Sequence, residues 1–359
     1  MLHVVVLAGG SGTRFWPKSR AQRPKQLLAL GGDQSLLVET VERVSEMVPA
    51  ERVWVVTNGS YANAVREQLP AVPADQVIAE PAGRDTAAAI GLGTLLVQAR
   101  DPDASIVVLP ADQRIQPAER FVASMRAAEA SLAEDGSRIV VFGIRPDHPA
   151  TGYGYIERDE PLGDQNGLPV HEVASFREKP DLATAESFVD SGRFFWNAGI
   201  FAYRAGFMRD CIAEHLPELH AGLIELEAHV GAADWDTQLA ARYPELQKIS
   251  IDYGVMERCQ KRVVVETDFE WDDVGSWAAM ARLFPADAED NVSIGSMVAV
   301  DARRNIVDAG DGVVAILGVE GLVVVHTEDA TLVAPRERAE EVKKLWERMR
   351  QDESLRRFT

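Results

Sequence analysis

Val4-Val5-Val6-Leu7-Ala8-Gly9-Gly10-Ser11-Gly12-Thr13-Arg14-Phe15-Trp16-Pro17-Lys18 stands almost at the start of the chain. Val4–Leu7 is an unbroken apolar run rich in β-branched residues, the pattern of a strand buried on both faces. It empties into a glycine-rich loop, where backbone N–H groups can approach a phosphate closely. Two common phosphate loops do not fit. A dinucleotide fingerprint continued from Gly10 and Gly12 needs its third glycine at Phe15, and a P-loop counted from Gly12 needs glycine at Pro17, before Lys18-Ser19. Arg14, Lys18, Arg20, Arg23 and Lys25 crowd the same segment. In a chain with 56 acidic and 37 basic residues and a formal charge of −19, that crowding points to local phosphate binding. The overall acidity disfavours non-specific binding to nucleic acid or to an anionic membrane surface.

Outward from this strand, buried-strand runs at Val53–Thr57, Gln76–Ala79, Ser105–Leu109 and Arg138–Ile144 alternate with helical patterns at Gln34–Val48, Tyr61–Leu69, Arg84–Ala99 and Pro117–Leu132. Strict alternation predicts an α/β fold with a mostly parallel sheet covered on both faces. From Thr151 to Tyr203 the pattern changes to short strands among glycines and aromatics, with helices at Leu182–Val189 and within 205–243. A further strand is expected at Arg262–Glu266. Beyond Pro285, short strands at Gly295–Val300, Asn305–Val307, Val313–Leu317 and Leu322–Val325 precede a charged helix, Arg336–Arg350. The expected organisation is a catalytic domain over 1–285 and a small C-terminal β domain with a terminal helix over 286–359. At 359 residues the length suits one large and one small domain.

Cys211 and Cys259 lack metal-ligand spacing and read as reduced thiols. Val4–Ala8 is too short for a signal segment or a membrane span, so the cytoplasm is the expected location and no membrane partner is expected.

Four further segments carry chemistry. Leu109-Pro110-Ala111-Asp112 puts a carboxylate just past the C-terminal end of a strand, the edge where α/β sheets gather ligands. Trp271-Asp272-Asp273-Val274-Gly275-Ser276-Trp277 supplies adjacent carboxylates from a distant segment. One carboxylate from each is a usual way to hold Mg²⁺ while leaving positions for phosphate and water. Glu178-Lys179-Pro180 sets a carboxylate for sugar hydroxyls beside an ammonium for a phosphate, and Asn197 in Trp196–Gly199 can both donate to and accept from hydroxyls. Taken singly, each of these has a bland structural reading, as a turn former, a surface ion pair or a buried satisfied amide.

Together and in order, with Glu80-Pro81-Ala82-Gly83-Arg84, Thr151-Gly152-Tyr153-Gly154-Tyr155-Ile156 and Ser250-Ile251-Asp252-Tyr253, they resemble the mannose-1-phosphate guanylyltransferases of the sugar-phosphate nucleotidyltransferase superfamily. The resemblance covers about Val4 to Leu283, and the tail resembles the short β-helix-like domain of single-function members. Larger relatives append a phosphomannose isomerase domain, which this sequence is expected to lack. The resemblance implies a Rossmann-like, mixed, mostly parallel sheet of the nucleotide-diphospho-sugar transferase type. It implies that GTP and mannose 1-phosphate give GDP-mannose and diphosphate with Mg²⁺ as cofactor, in a homodimer. Leu7, Ala8, Gly9, Gly10, Gly12 and Thr13 would hold the nucleotide phosphates through their backbone, with Arg14 and Lys25 neutralising charge. Glu80, Pro81 and Arg84 would line the nucleotide pocket, and Asp112 and Asp273 would hold the metal. Gly154, Glu178 and Asn197 would contact the sugar and Lys179 its phosphate. Arg14, Lys25, Asp112, Lys179 and Asp273 form the implied catalytic set. Phe15, Asp85, Gln113, Gly254 and Asp272 depart from the family pattern, and Asp273 rather than Asp272 occupies the matching position. The alternatives are the same reaction on another sugar 1-phosphate or NTP, and a non-catalytic regulatory homologue.

Overall fold

The computed structural model describes residues 1–30 and 32–359. Its packing divides into two compact units. The first comprises Met1–Gly9, Thr40–Ala111 and Ile115–Trp271; the second comprises Gly10–Glu39, Asp112–Arg114 and Asp272–Thr359.

The first unit is built on a nine-stranded sheet. Its strands are β1 (Leu2–Ala8), β2 (Val53–Asn58), β3 (Val77–Glu80), β4 (Ser105–Pro110), β5 (Ile139–Ile144), β6 (Gly154–Gln165), β7 (Leu168–Glu178), β8 (Phe194–Arg204) and β9 (Arg262–Glu266). They lie in the order β3-β2-β1-β4-β8-β5-β9-β7-β6. The half containing β3, β2, β1 and β4 is parallel throughout. Parallel strands need covering on both faces, and the covering helices Asp85–Arg100, Ala118–Glu134 and Ala205–His215 follow from the alternation already legible in the sequence. Val5, Val56, Ile106, Val108 and Val141 sit in one core with Leu92, Met208 and Leu219. Beyond β4 the sheet is mixed, because β8 runs antiparallel to both β4 and β5. The segment expected as short strands therefore forms three long ones, of 12, 11 and 11 residues. Their pairing continues past glycines such as Gly163 and Gly199 by shifting register, so what reads as punctuation in sequence is a bulge within a strand.

In the second unit, β10 (Val292–Val300), β11 (Ile306–Leu317), β12 (Leu322–His326) and β13 (Thr331–Pro335) form a four-stranded sheet in that order. The first three are parallel, and β12 and β13 antiparallel. The two strands expected at 305–307 and 313–317 are one, since β11 passes through Gly310 and Gly312 with a register shift against β10. Buried Asn291 and Asn305 stack across the coils: Asn305 Nδ2 donates to Asn291 Oδ1 at 2.9 Å, and Asn305 Oδ1 accepts from Leu322 N at 2.9 Å. The terminal helix is also shorter than expected. A 3₁₀ stretch, Arg336–Glu341, precedes an α-helix over Val342–Gln351. No helix of the described residues is long and apolar enough to cross a membrane.

The glycine-rich loop is anchored within this second unit. Phe15, Trp16, Trp277, Val323, Val325, Val342 and Leu332 share a core, joined by Trp346 and Met349. Trp16 Nε1 donates to Phe358 O at 2.7 Å and Trp277 Nε1 to Trp16 O at 3.0 Å. Lys18 pairs with the fully buried carboxylate of Asp308, and Arg20 with Asp329 and the Phe358 carbonyl. Two of the five cations read as phosphate ligands thus hold the loop in place. Lys18→Met, which strands a buried carboxylate, is expected to cost about 3 kcal/mol of stability, checked by the denaturant midpoint; Lys18→Met with Asp308→Asn should recover most of that loss.

Candidate active site

Leu7 and Ala8 lie within β1, in register with Val56 and Thr57 of β2. Ala8 O accepts from the Thr57 hydroxyl, and Leu7 O from Ala111 N. The backbone leaves the sheet at Gly9, and a Cβ there would stand 3.0 Å from Glu80 Oε2. Glu80, at the C-terminal end of β3, is buried and accepts from the Tyr243 hydroxyl. Burial raises its pKa, and the tyrosine hydrogen bond works against the rise. Pro81 is exposed, and Arg84 is half-buried with an Nε that has no hydrogen-bond partner among the described residues. Asp85 adopts a left-handed φ of 65° and accepts from Thr86 N. Asn and Asp are the non-glycine residues that tolerate this region best, so either residue suits the position.

Gly10 O accepts from Gln26 Nε2 at 3.0 Å. Gly12 then turns with a φ of 55°, and a Cβ on it would lie 2.2 Å from Lys25 Cβ and 2.6 Å from Lys25 N. Only glycine lets the loop press on Lys25 in this way. The lysine is 5% exposed, and its Nζ donates to Asp112 Oδ2 at 3.0 Å and to the main-chain oxygen of Asp273 at 2.6 Å. Gly12, Thr13, Arg14, Lys25, Asp112 and Asp273 line one cleft of about 320 Å³. Arg14 is exposed there and Thr13 buried.

Asp272 and Asp273 divide their tasks. Asp272 Oδ1 accepts from Val274 N at 2.7 Å, and Oδ2 pairs with Arg282. The turn it caps carries Val274 at a φ of 48°, while the Asp273 carboxylate lies over Gly275, where a Cβ would come within 2.9 Å of Oδ2. Asp273 lines the cleft and Asp272 is spent on the turn. Among the described residues no cluster of three or more His, Cys, Asp or Glu side chains could hold a metal. Two hard carboxylate oxygens in a cleft suit Mg²⁺, which takes one or two protein carboxylates and completes its shell with water and phosphate.

A second cluster belongs to the first unit. Gly154 opens β6 opposite Glu178 of β7, and a Cβ on it would fall 2.5 Å from Glu178 Oε2 and 3.2 Å from Asn197 Cβ. Asn197, on β8, accepts from Gly199 N at 3.0 Å and donates to Asp252 Oδ1 at 3.1 Å. Lys179, at a φ of 46°, pairs with Glu178 Oε1 at 3.0 Å. Burial opposes its charge, yet the Glu178 carboxylate holds its pKa above the ordinary value. The four residues expected to serve the sugar phosphate are therefore contiguous. Three partners escaped sequence reading: Asp252, Glu257, whose Oε1 accepts from Glu178 N at 3.0 Å, and Tyr243 beside Glu80. Ser250–Tyr253 carries a family motif without assigning a role, and nothing local ties Asp252 to an amide 55 positions away. Asp252 starts a π-helical turn, Asp252–Met256, a distortion often found at functional sites. Burial first, and the Glu178 carboxylate second, push its carboxyl from 3.8 up to about 7.

A fixed cation in Lys25, an exposed guanidinium in Arg14 and two carboxylates, with no activated nucleophile among them, suit phosphoryl transfer. The class so defined is a nucleotidyltransferase. Residues 3–290 match the model of the Nucleotidyl transferase family, and residues 295–349 that of the MannoseP isomerase/GMP-like beta-helix domain. Mannose-1-phosphate guanylyltransferases of Escherichia coli K12 and Klebsiella pneumoniae are each 39% identical over 98% of this chain, which covers 74% and 75% of their lengths. A solved structure from Thermus thermophilus, described as a mannose-1-phosphate geranyltransferase, superposes with a TM-score of 0.85 at 38% identity, covering 97% of this chain and 99% of that one. The chain belongs to the nucleotidyl transferase family, in its mannose-1-phosphate guanylyltransferase branch.

Both clusters can be probed by substitution. Gly12→Ala must displace Lys25 and is expected to lower kcat/KM roughly a hundredfold, read from initial rates on protein shown to be folded. A raised carboxyl pKa means that the native state binds more protons than the unfolded chain between pH 3.8 and about 7. The Asp252 contribution to stability therefore falls as pH rises through that window. Asp252→Asn should flatten the dependence of Tm on pH there relative to wild type; parallel curves would remove the assignment.

Proposed function

We propose that this chain transfers a guanylyl group from GTP to mannose 1-phosphate, forming GDP-mannose and diphosphate. An oxygen of the sugar phosphate attacks the α-phosphorus in line, the new P–O bond forms, and the bond to the diphosphate leaving group breaks. The reading rests on one observation above the others. The Lys25 ammonium is buried and held by Asp112 and the Asp273 carbonyl beneath Gly12, so a fixed positive charge is present before any substrate arrives. Fixed charge lowers the barrier between two anions without reorganisation at the moment of reaction.

Mg²⁺ held by the Asp112 and Asp273 carboxylates would supply further neutralisation and Lewis acidity at phosphate oxygens. Lys25 positions the Asp112 carboxylate, and Arg14 offers its exposed guanidinium to the triphosphate. The backbone from Leu7 to Thr13 serves the nucleotide phosphates. Glu80, Pro81 and Arg84 serve the nucleoside, Arg84 through an Nε with no partner among the described residues. Glu178 and Asn197 bind hydroxyls of the sugar, for which Gly154 leaves space, and Lys179 binds its phosphate. No group on the protein needs to form a covalent intermediate. A homodimer and a cytoplasmic location complete the proposal.

Purified protein with Mg²⁺, GTP, ATP, UTP or dTTP, and mannose or glucose 1-phosphate is assayed for diphosphate release. Release largely confined to GTP with mannose 1-phosphate is expected. Another preferred pair would keep the mechanism and overturn the specificity, and no release with any pair would favour a regulatory homologue. Asp112→Asn and Asp273→Asn should each lower kcat roughly 10²–10³-fold. Lys179→Ala should raise KM for the sugar phosphate; a change confined to KM for GTP would contradict its role.

A further inference from the structure

We propose that Lys343, in the first turn of the C-terminal helix, is a substrate-binding residue that contacts the β,γ-diphosphate end of the nucleoside triphosphate. The inference rests on the nucleotidyltransferase reading and adds to the cleft a residue from the far end of the chain. Lys343 lines the same cleft as Gly12, Arg14, Lys25, Asp112 and Asp273. Among the described residues it is the cleft's one contribution from beyond Gly275.

Three observations separate it from an ordinary surface lysine. First, the charge is badly placed for stability. The helix Val342–Gln351 has no acidic residue in its first turn, where the helix dipole disfavours cations. Its neighbour Lys344 is compensated by Glu341 at 2.8 Å, whereas Lys343 reaches Glu347 at 3.6 Å, and both of those side chains are about half exposed. A long pair between two half-exposed side chains is weak, so it yields readily to a polyanion.

Second, the buried cation of the cleft already has partners of its own. The Lys25 ammonium is already taken up by Asp112 and the Asp273 carbonyl, leaving Arg14 and Lys343 to face an incoming polyphosphate. Third, the backbone that carries Lys343 is fixed to the phosphate loop. Val342 is buried in the core that holds Phe15 and Trp16, with Trp346 and Met349 packed on the same core. The ammonium is thus a flexible tip on a rigid mount, and a lysine serves well as a point charge for phosphate.

The test compares wild type, Lys343→Ala and Lys343→Arg. GTP, GMP and inorganic pyrophosphate are titrated calorimetrically with Mg²⁺ present, alongside initial rates in both directions. Lys343→Ala is expected to weaken GTP and pyrophosphate about tenfold, the effect of one charge-assisted contact. GMP affinity, KM for mannose 1-phosphate and Tm should stay close to wild type, and Lys343→Arg should recover most of the loss. Unchanged GTP and pyrophosphate binding would overturn the assignment. Equal weakening of GTP and GMP would also overturn it, as that is what a structural role produces. If wild type turns over no substrate pair yet Lys343→Ala still loses GTP and pyrophosphate selectively, the transferase reading fails and the lysine keeps its role.

Discussion

A buried ammonium is tolerated only where its charge is met and its donors are used. The Lys25 side chain satisfies this by reaching Asp112 and the main chain of Asp273, two segments far apart in sequence. Its stem is confined by Gly12, whose left-handed turn brings loop backbone to within van der Waals contact of the lysine. One side chain therefore registers the glycine-rich loop against the Asp112 carboxylate and the backbone of Asp273. A longer loop residue, a shorter cation or a missing carboxylate would each undo the same arrangement.

The C-terminal segment contributes to that arrangement as well. Strand β11, the turn between β12 and β13 and the last residues of the chain supply the partners of Lys18, Arg20 and Trp16, all within the loop or just beyond it. The Lys18–Asp308 pair is retained although buried ion pairs seldom add net stability. Its value lies in orientation: a carboxylate inside the β coil is compensated only when the loop is in place. The small β domain is thus part of the scaffold of the glycine-rich loop.

The cluster around Gly154 and Glu178 follows a different logic. Gly154, Glu178 and Asn197 come from β6, β7 and β8, of which β6 pairs with both others, Lys179 follows β7 directly, and Asp252 and Glu257 come from a π-helical turn and the residue that follows it. Two carboxylates, Glu178 and Asp252, are close enough that one raises the pKa of the other. Lys179 and the Asn197 amide offset part of that repulsion. A polyol recognised here would meet acceptors and donors already oriented by one another.

Apolar runs and their alternation with helical periodicity were enough to reveal the α/β class, since burial on both faces of a parallel sheet leaves a local signature at every strand. The glycine-rich loop, Asp112, Asp273 and the Glu178-Lys179 pair were legible because each sits in a short motif with its own chemistry. The family motifs grouped Asp112 with Asp273 and Gly154 with Glu178 and Asn197; what eluded sequence reading was the partner that each side chain takes in a distant segment. Lys18 and Arg20 look like Arg14 in sequence, and only their partners at Asp308, Asp329 and Phe358 mark them as anchors of the loop. Asp272 and Asp273 are adjacent, and the turn at Val274 decides which carboxylate faces the cleft. Local sequence determined which residue types were available and which elements carried them. Tertiary structure decided their tasks, because burial, ion pairing and register depend on neighbours that chain order does not specify.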